Sequence, residues 1–224
     1  MNQPSQLHIS SPNGLRLSNL FFRADRPRNW LALMLPGLGY TADMPLLYYS
    51  KMLLLNRGVD VLQLMPATRS EEFQALDWES RRNWLRSDML AGLDAGLAQH
   101  NYAGIVLVGK SIGPICIALG LQTAQSRLPI CVGWLTPIFR EEIVMEAALS
   151  SIGPSFFLCG GADNTFQADK LDLILKSNQE AQALIINGAD HSLEIEGDED
   201  KTLQALQDGM QAFASFLDSA LPST

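Results

Sequence analysis

The residues best suited to chemistry in this sequence form a short glycine–serine motif near its middle. The motif is Gly109-Lys110-Ser111-Ile112-Gly113, between an apolar run and a stretch of helical periodicity. A sharp turn from a strand into a helix holds a serine in a strained conformation, and the flanking glycines avoid clashes there. The hydroxyl then stands above the sheet at the positive end of the helix. The motif therefore predicts Ser111 as a nucleophile.

A serine nucleophile needs a base that takes its proton, and the sequence has three histidines. His8 lies in an extended N-terminal segment, and His100 ends a helical stretch as an ordinary surface residue would. His191 follows the last predicted strand and precedes the final predicted helix. A loop histidine by itself is typical of a solvated side chain. The chain order serine, aspartate, histidine nevertheless favours His191 as the base.

The third group must accept the other ring N–H of the histidine and stabilise the imidazolium. Asp163 follows the penultimate predicted strand directly, after Gly160 and Gly161, which allow a tight turn. Asp190 competes for this role, but as the neighbour of His191 it would have difficulty curling back to the ring. The sequence favours Asp163.

Two backbone N–H groups are expected to stabilise the negative charge that develops on a substrate carbonyl oxygen. One is the amide of Ile112, which follows the nucleophile. The other is expected in the loop Leu35-Pro36-Gly37-Leu38-Gly39-Tyr40, where small residues let the chain pass close to Ser111. The Leu38 N–H is favoured as this donor, and the Gly39 N–H is the alternative. A plain strand-ending turn without this role is the less favoured interpretation of the loop.

Short apolar runs separated by amphipathic stretches predict an α/β fold with a mostly parallel sheet. A pattern of Leu203, Leu206, Met210, Phe213 and Leu217 predicts a last helix, and residues 73–98 form another helical stretch. Two extended runs around Pro-Asn-Gly at 12–14 predict an N-terminal antiparallel hairpin. The predicted buried strands cover residues 31–35, 59–65, 105–108, 130–135, 156–159 and 183–186.

Length and composition are typical of one globular domain spanning residues 1–224. The net charge is −8 and the 16 basic residues are scattered, which argues against nucleic-acid binding. No apolar run is long enough for a membrane helix, and no secretory signal is evident, so we expect neither a membrane partner nor export. Three cysteines among apolar neighbours indicate a reducing, cytoplasmic location. No metal or organic cofactor is implied.

The ordered set PGLG, GKSIG, GGADN and GADH resembles the α/β-hydrolase superfamily over nearly the whole sequence. The PGLGYTADMP segment and the compact length are most similar to small, lidless hydrolases related to dienelactone hydrolase. The resemblance implies an α/β-hydrolase fold and a serine hydrolase activity. Two departures stand out. Pro36 replaces a histidine that often opens the oxyanion loop, and Ser111 stands where dienelactone hydrolases carry cysteine, which argues against that particular activity.

These residues predict transfer of an acyl group to Ser111 and its hydrolysis by water, with a small ester or thioester as substrate. The segment between residues 135 and 155 is too short for a large lid, so an open site is expected. Trp134, Ile138 and Phe139 are candidates for the acyl pocket, and core packing is an equally good interpretation of them. Lys110 is either solvated or paired with a carboxylate. The sequence leaves open a non-catalytic binding scaffold, an acyltransferase and the oligomeric state.

Overall fold

The computed structural model describes residues 3–10, 14, 16–65, 68 and 70–222. Its centre is an eight-stranded sheet in the order β1-β2-β4-β3-β5-β6-β7-β8. The strands are β1 (Ser5–Ser10), β2 (Arg16–Phe22), β3 (Trp30–Leu35), β4 (Val59–Gln63), β5 (Gly104–Lys110), β6 (Ile130–Leu135), β7 (Ser155–Gly160) and β8 (Ala181–Ile186). The helices are α1 (Pro45–Asn56), α2 (Glu71–Gln74), α3 (Trp78–Leu97), α4 (Gly113–Gln125), α5 (Glu142–Ser150), α6 (Ala168–Ser177) and α7 (Glu199–Ala220).

The sheet is parallel except at its N-terminal edge. β1 pairs antiparallel with β2, and β2 pairs antiparallel with β4. All pairs from β4 across to β8 are parallel. The predicted N-terminal hairpin is therefore confirmed, although Pro12 and Asn13 of its turn lie outside the described residues.

Helices cover both faces of the sheet, so its central strands are buried on both sides. Along β3, Leu31, Leu33 and Leu35 pack on one face with α2 to α6, whereas Ala32 and Met34 pack on the other with α1 and α7. This alternation follows from the pleat of a strand. A strand with two buried faces must be apolar at every position, which is why these strands appear as continuous apolar runs.

Two predictions about individual elements were wrong. The helical stretch at residues 73–98 is two helices, because the Asp77 side chain accepts a hydrogen bond from the Ser80 N–H and starts α3 there. The last strand, β8, is not buried on both faces. It lies at the edge of the sheet, and Ile185 keeps 41% of its surface exposed.

The connection between β6 and β7 contains only α5, a helix of nine residues. No large lid can form there, as the sequence predicted. Among the described helices, none combines the length and the apolar character that a membrane span needs.

Candidate active site

Ser111 occupies a sharp turn between β5 and α4. Its φ is +61°, a left-handed conformation that a residue with a side chain adopts only at a cost. The helix begins two residues later at Gly113, with Pro114 in its first turn, where no amide donor is needed. Ser111 itself remains half-buried and accessible from outside. This is the strained turn that the glycine–serine motif predicts.

Both glycines of the motif are required by close backbone contacts. A Cβ added to Gly109 would lie 2.7 Å from the carbonyl carbon of Gly113. A Cβ added to Gly113 would lie 2.2 Å from the carbonyl oxygen of Leu35, at the end of β3. Any side chain at Gly113 would therefore push α4 away from the sheet.

We expect Gly113→Ala to lower the free energy of unfolding by about 1–3 kcal/mol or more, because backbone atoms cannot move aside as a flexible side chain can. The urea midpoint of unfolding measures this loss. Gly39→Ala is the matched control, since a Cβ there would contact nothing within 4 Å. Equal midpoints for the two variants would contradict the steric argument.

The structure brings together the three side chains that the sequence singled out. The Ser111 hydroxyl donates to His191 Nε2 over 2.9 Å, and His191 Nδ1–H donates to Asp163 Oδ2 over 2.6 Å, with the tautomer assigned from this network. The Asp163 side chain is 1% exposed and that of His191 is 31% exposed. A buried carboxylate thus orients a ring whose other nitrogen reaches the serine.

Hydrogen bonds to Asp163 keep its carboxyl ionised despite burial. Burial by itself raises the pKa of this group, but hydrogen bonds from His191 and Thr165 outweigh that effect and hold the pKa below its ordinary value. The Thr165 backbone N–H and hydroxyl each donate to Asp163 Oδ1 over 2.8 Å. Thr165 is not among the residues that the sequence singled out. Its position two residues after Asp163 is the spacing of an Asx turn, a signal that could have revealed it.

The loops that carry Asp163 and His191 are packed against each other. The carbonyl oxygen of Asp190 lies 2.2 Å from where a Cβ on Gly160 would stand, so only glycine fits. The Ala162 N–H donates to the Ala189 carbonyl over 2.8 Å. The Asp190 carboxylate instead accepts hydrogen bonds from the N–H groups of Ser192 and Glu194, within its own loop. The geometry assigns the contact with the His191 ring to Asp163.

The loop after β3 passes directly beside Ser111. A Cβ added to Gly37 would lie 3.1 Å from Cβ of Ser111. The Gly37 N–H donates to the Tyr40 carbonyl over 2.9 Å, so this amide closes the turn. Leu38, the next residue, is 46% exposed. On the other side of Ser111, Ile112 is the N-cap residue of α4.

The structure separates the three candidates for the acyl pocket. Trp134 and Phe139 are both 0% exposed in the core, where Trp134 stacks on Phe157 with ring centroids 5.8 Å apart. Core packing, one of the two interpretations that the sequence left open, describes these two residues. Ile138 is half-buried, as is Phe166, whose ring lies against Phe139.

Lys110, the residue before Ser111, fits neither of its predicted environments. Its side chain is buried rather than solvated, and its ammonium group donates a hydrogen bond to the backbone carbonyl of His191 rather than to a carboxylate. Within the described part of the chain, no group of three or more His, Cys, Asp or Glu residues is arranged to hold a metal ion.

The strand order, the crossover helices and the three loops define the α/β-hydrolase fold, as the sequence resemblance predicts. A lidless α/β serine hydrolase from Xanthomonas campestris is similar over 100% of this chain and 98% of its own, with a TM-score of 0.73 and 16% identity. The Pyrococcus furiosus esterase Pf2001 is similar over 97% and 93%, with a TM-score of 0.70 and 14% identity. A dienelactone hydrolase from Anabaena variabilis is similar over 98% of this chain and 99% of its own, with a TM-score of 0.70 and 17% identity.

No protein-family model matches the sequence, and no curated protein does. The structural likenesses show the fold, whereas the chemistry depends on the side chains of this chain.

Proposed function

We propose that the protein is a serine hydrolase that cleaves small carboxylic esters or thioesters through an acyl-enzyme on Ser111. Ser111 is the nucleophile, His191 is the general base and then the general acid, and Asp163 orients and stabilises His191. The observation that supports this most strongly is the continuous relay from the Ser111 hydroxyl through the His191 ring to a buried carboxylate.

Acylation begins when His191 Nε2 takes the hydroxyl proton as Ser111 Oγ attacks the substrate carbonyl carbon. The bond from Oγ to carbon forms and the carbonyl electron pair moves onto oxygen. When the intermediate collapses, the bond to the leaving alcohol or thiol breaks, and His191 returns the proton to that group. The acyl group stays on Ser111.

Deacylation repeats these steps with water as the nucleophile. His191 takes a proton from water, the hydroxide oxygen bonds to the acyl carbon, and Ser111 leaves with the proton from His191. The products are the free carboxylic acid and the original enzyme. Asp163, ionised throughout, stabilises the imidazolium in both halves of the cycle.

The backbone N–H groups of Ile112 and Leu38 are the proposed oxyanion donors. Ile112 supports this assignment through its place at the positive end of α4, beside the nucleophile. The close packing of Gly37 on Ser111 supports the other donor, because the Leu38 N–H follows Gly37 in the same turn.

An open site favours small or extended substrates. Leu38 is exposed, and Ile138 and Phe166 are half-buried, so apolar side chains are available to an acyl chain. The short β6–β7 connection leaves no lid for an interfacial lipid. An acyltransferase with the same relay would prefer an alcohol or thiol to water as the acceptor. A product assay distinguishes the two activities, since a hydrolase yields the free acid and an acyltransferase yields a new ester or thioester.

A fluorophosphonate probe tests the proposal, because serine Oγ attacks its phosphorus and displaces fluoride only when the hydroxyl is activated. We expect stoichiometric labelling of the wild-type protein at Ser111. His191→Ala should slow labelling by on the order of 10²–10⁴-fold, the usual contribution of a general base. Mass spectrometry of the labelled peptide reads out both results.

Ser126→Ala is the matched control, since Ser126 is an exposed serine at the opposite end of α4. It should label at the wild-type rate. A folded wild-type protein that remains unlabelled would point instead to a scaffold that binds a ligand or a protein without chemistry.

A further inference from the structure

Lys110 is a fully enclosed charged side chain beside the proposed nucleophile. It ends β5 and precedes Ser111, yet only 2% of its surface is exposed. Burial of an ammonium group is costly unless specific partners stabilise it. The partners of Lys110 belong to two loops that flank Ser111.

The first partner is the loop that carries the histidine. Lys110 Nζ donates a hydrogen bond of 2.9 Å to the backbone carbonyl of His191. This contact spans 81 positions of sequence and holds the residue whose ring must meet Ser111. A hydrogen bond from a charged donor is stronger than a neutral one.

The second partner is the turn after β3. Lys110 Nζ lies 4.7 Å from the ring centroid of Tyr40, within the range of a cation–π contact. The Tyr40 hydroxyl accepts a hydrogen bond from the N–H of Leu46 at the start of α1. The backbone carbonyl of Tyr40 accepts a hydrogen bond from the N–H of Gly37. The Tyr40 side chain is therefore tied to α1, and its backbone is tied to the turn after β3.

We infer that Lys110 is a positioning residue whose ammonium group ties the His191 loop and the Gly37–Tyr40 turn to the end of β5. The inference rests on the proposed function, since its consequence is the alignment of His191 with Ser111. Lys110 does not touch the reacting atoms. A displacement of about 1 Å at a catalytic group can cost about a hundredfold in rate, so such a tie has a large effect.

The same enclosure makes the tie sensitive to pH. Burial lowers the pKa of Lys110 to about 8, and the carboxylates of Asp163 and Asp190 limit the fall. The Tyr40 phenol also faces Lys110. Burial raises the pKa of this phenol, a hydrogen bond from the Leu46 N–H partly offsets that rise and Glu194 adds to it, so the phenol is neutral near pH 8. Above about pH 8 the ammonium becomes a neutral amine. The hydrogen bond to the His191 carbonyl and the contact with the Tyr40 ring then lose the positive charge that strengthens them.

The charge on Lys110 supports the alignment of His191 but lowers the stability of the fold. The pKa of Lys110 is lower in the folded protein than its ordinary value of 10.5, so the charged form is disfavoured by folding. At pH 7 the charge therefore lowers the free energy of unfolding, and the loss disappears as the pH rises past 8 towards 10.5. An apolar side chain of similar length should stabilise the fold while weakening alignment.

The test follows the rate constant of fluorophosphonate labelling from pH 6.5 to 10 for wild type and Lys110→Met. We expect Lys110→Met to react about 10–100-fold more slowly at pH 7. The wild-type rate should fall above about pH 8 and converge on that of the variant, whose own profile stays flat there. The urea midpoint of Lys110→Met at pH 7 should equal or exceed that of wild type.

Lys51→Met is the matched control. Lys51 is also a buried lysine over an aromatic ring, 4.6 Å from the Phe22 centroid, but it lies on α1. This variant should keep the wild-type rate and its fall above pH 8.

Each outcome separates the two proposals. An unlabelled wild-type protein overturns both. A labelled wild-type protein together with an equally reactive Lys110→Met overturns the positioning role alone, as does a variant whose rate and urea midpoint fall together. Should Lys110→Met fail to fold, the wild-type profile decides: no fall between pH 7 and 10 refutes the inference, and a fall shared with Lys51→Met supports it.

Discussion

Ser111→Ala is expected to lower kcat for a simple p-nitrophenyl ester by on the order of 10⁶-fold, because no acyl-enzyme can form without the hydroxyl. The fold should be unaffected. Serine and alanine both carry a Cβ, so the backbone strain at a φ of +61° is the same in the two proteins. Initial rates at saturating ester measure the loss, and circular dichroism with urea unfolding measures the fold.

Ser126→Ala provides the comparison for a serine outside the relay, and it should hydrolyse the ester at the wild-type rate. Electrophile labelling should likewise vanish from Ser111→Ala and persist in the control. A folded Ser111→Ala protein with undiminished kcat would refute the nucleophile assignment and, with it, the proposed mechanism.

The second large effect is expected from Asp163→Asn, which should lower kcat by about 10⁴-fold. The amide removes the negative charge that stabilises the imidazolium and can donate a hydrogen bond to Nδ1, which selects the wrong tautomer of His191. Asp163 has little exposed surface and accepts three hydrogen bonds, so solvent cannot replace it. Steady-state kinetics give kcat and KM separately, and we expect KM to change little.

Asp190→Asn is the matched control because Asp190 is the competing carboxylate in the sequence. Its Oδ1 accepts hydrogen bonds from two N–H groups of its own loop, and asparagine keeps a carbonyl oxygen for them. This variant should retain nearly all activity. The reverse pattern, with activity lost in Asp190→Asn and kept in Asp163→Asn, would show that the wrong acid had been assigned.

Local pattern alone was sufficient to locate the strands of the parallel sheet. Six apolar runs correspond to β3 to β8, and the predicted 59–65 run exceeds β4 by only two residues. A strand buried on both faces must be continuously apolar, so burial is visible in the sequence itself. The loops of Ser111, Asp163 and His191 each follow such a strand. Parallel strands end at one edge, so the sequence also predicted that these loops meet.

Position within the sheet was not visible in the same way. The apolar run that forms β8 resembles the runs that form the central strands. In the sheet, however, β8 pairs only with β7 and keeps exposed side chains. Which strand stands at an edge depends on the connections of the whole chain. Likewise, the helical period of residues 73–98 continues across the break before α3, and the decisive feature is the single capping contact of Asp77.

Sequence by itself determined the fold class and the three residues of the relay, because strands, glycine turns and motif order are local properties. Tertiary structure alone decided that Trp134 and Phe139 face the core, that Thr165 donates hydrogen bonds to Asp163, and that Lys110 is enclosed. The contact between Lys110 and the His191 carbonyl joins residues 81 positions apart. Such contacts depend on how separate strands and loops pack in space, and no local pattern encodes that packing.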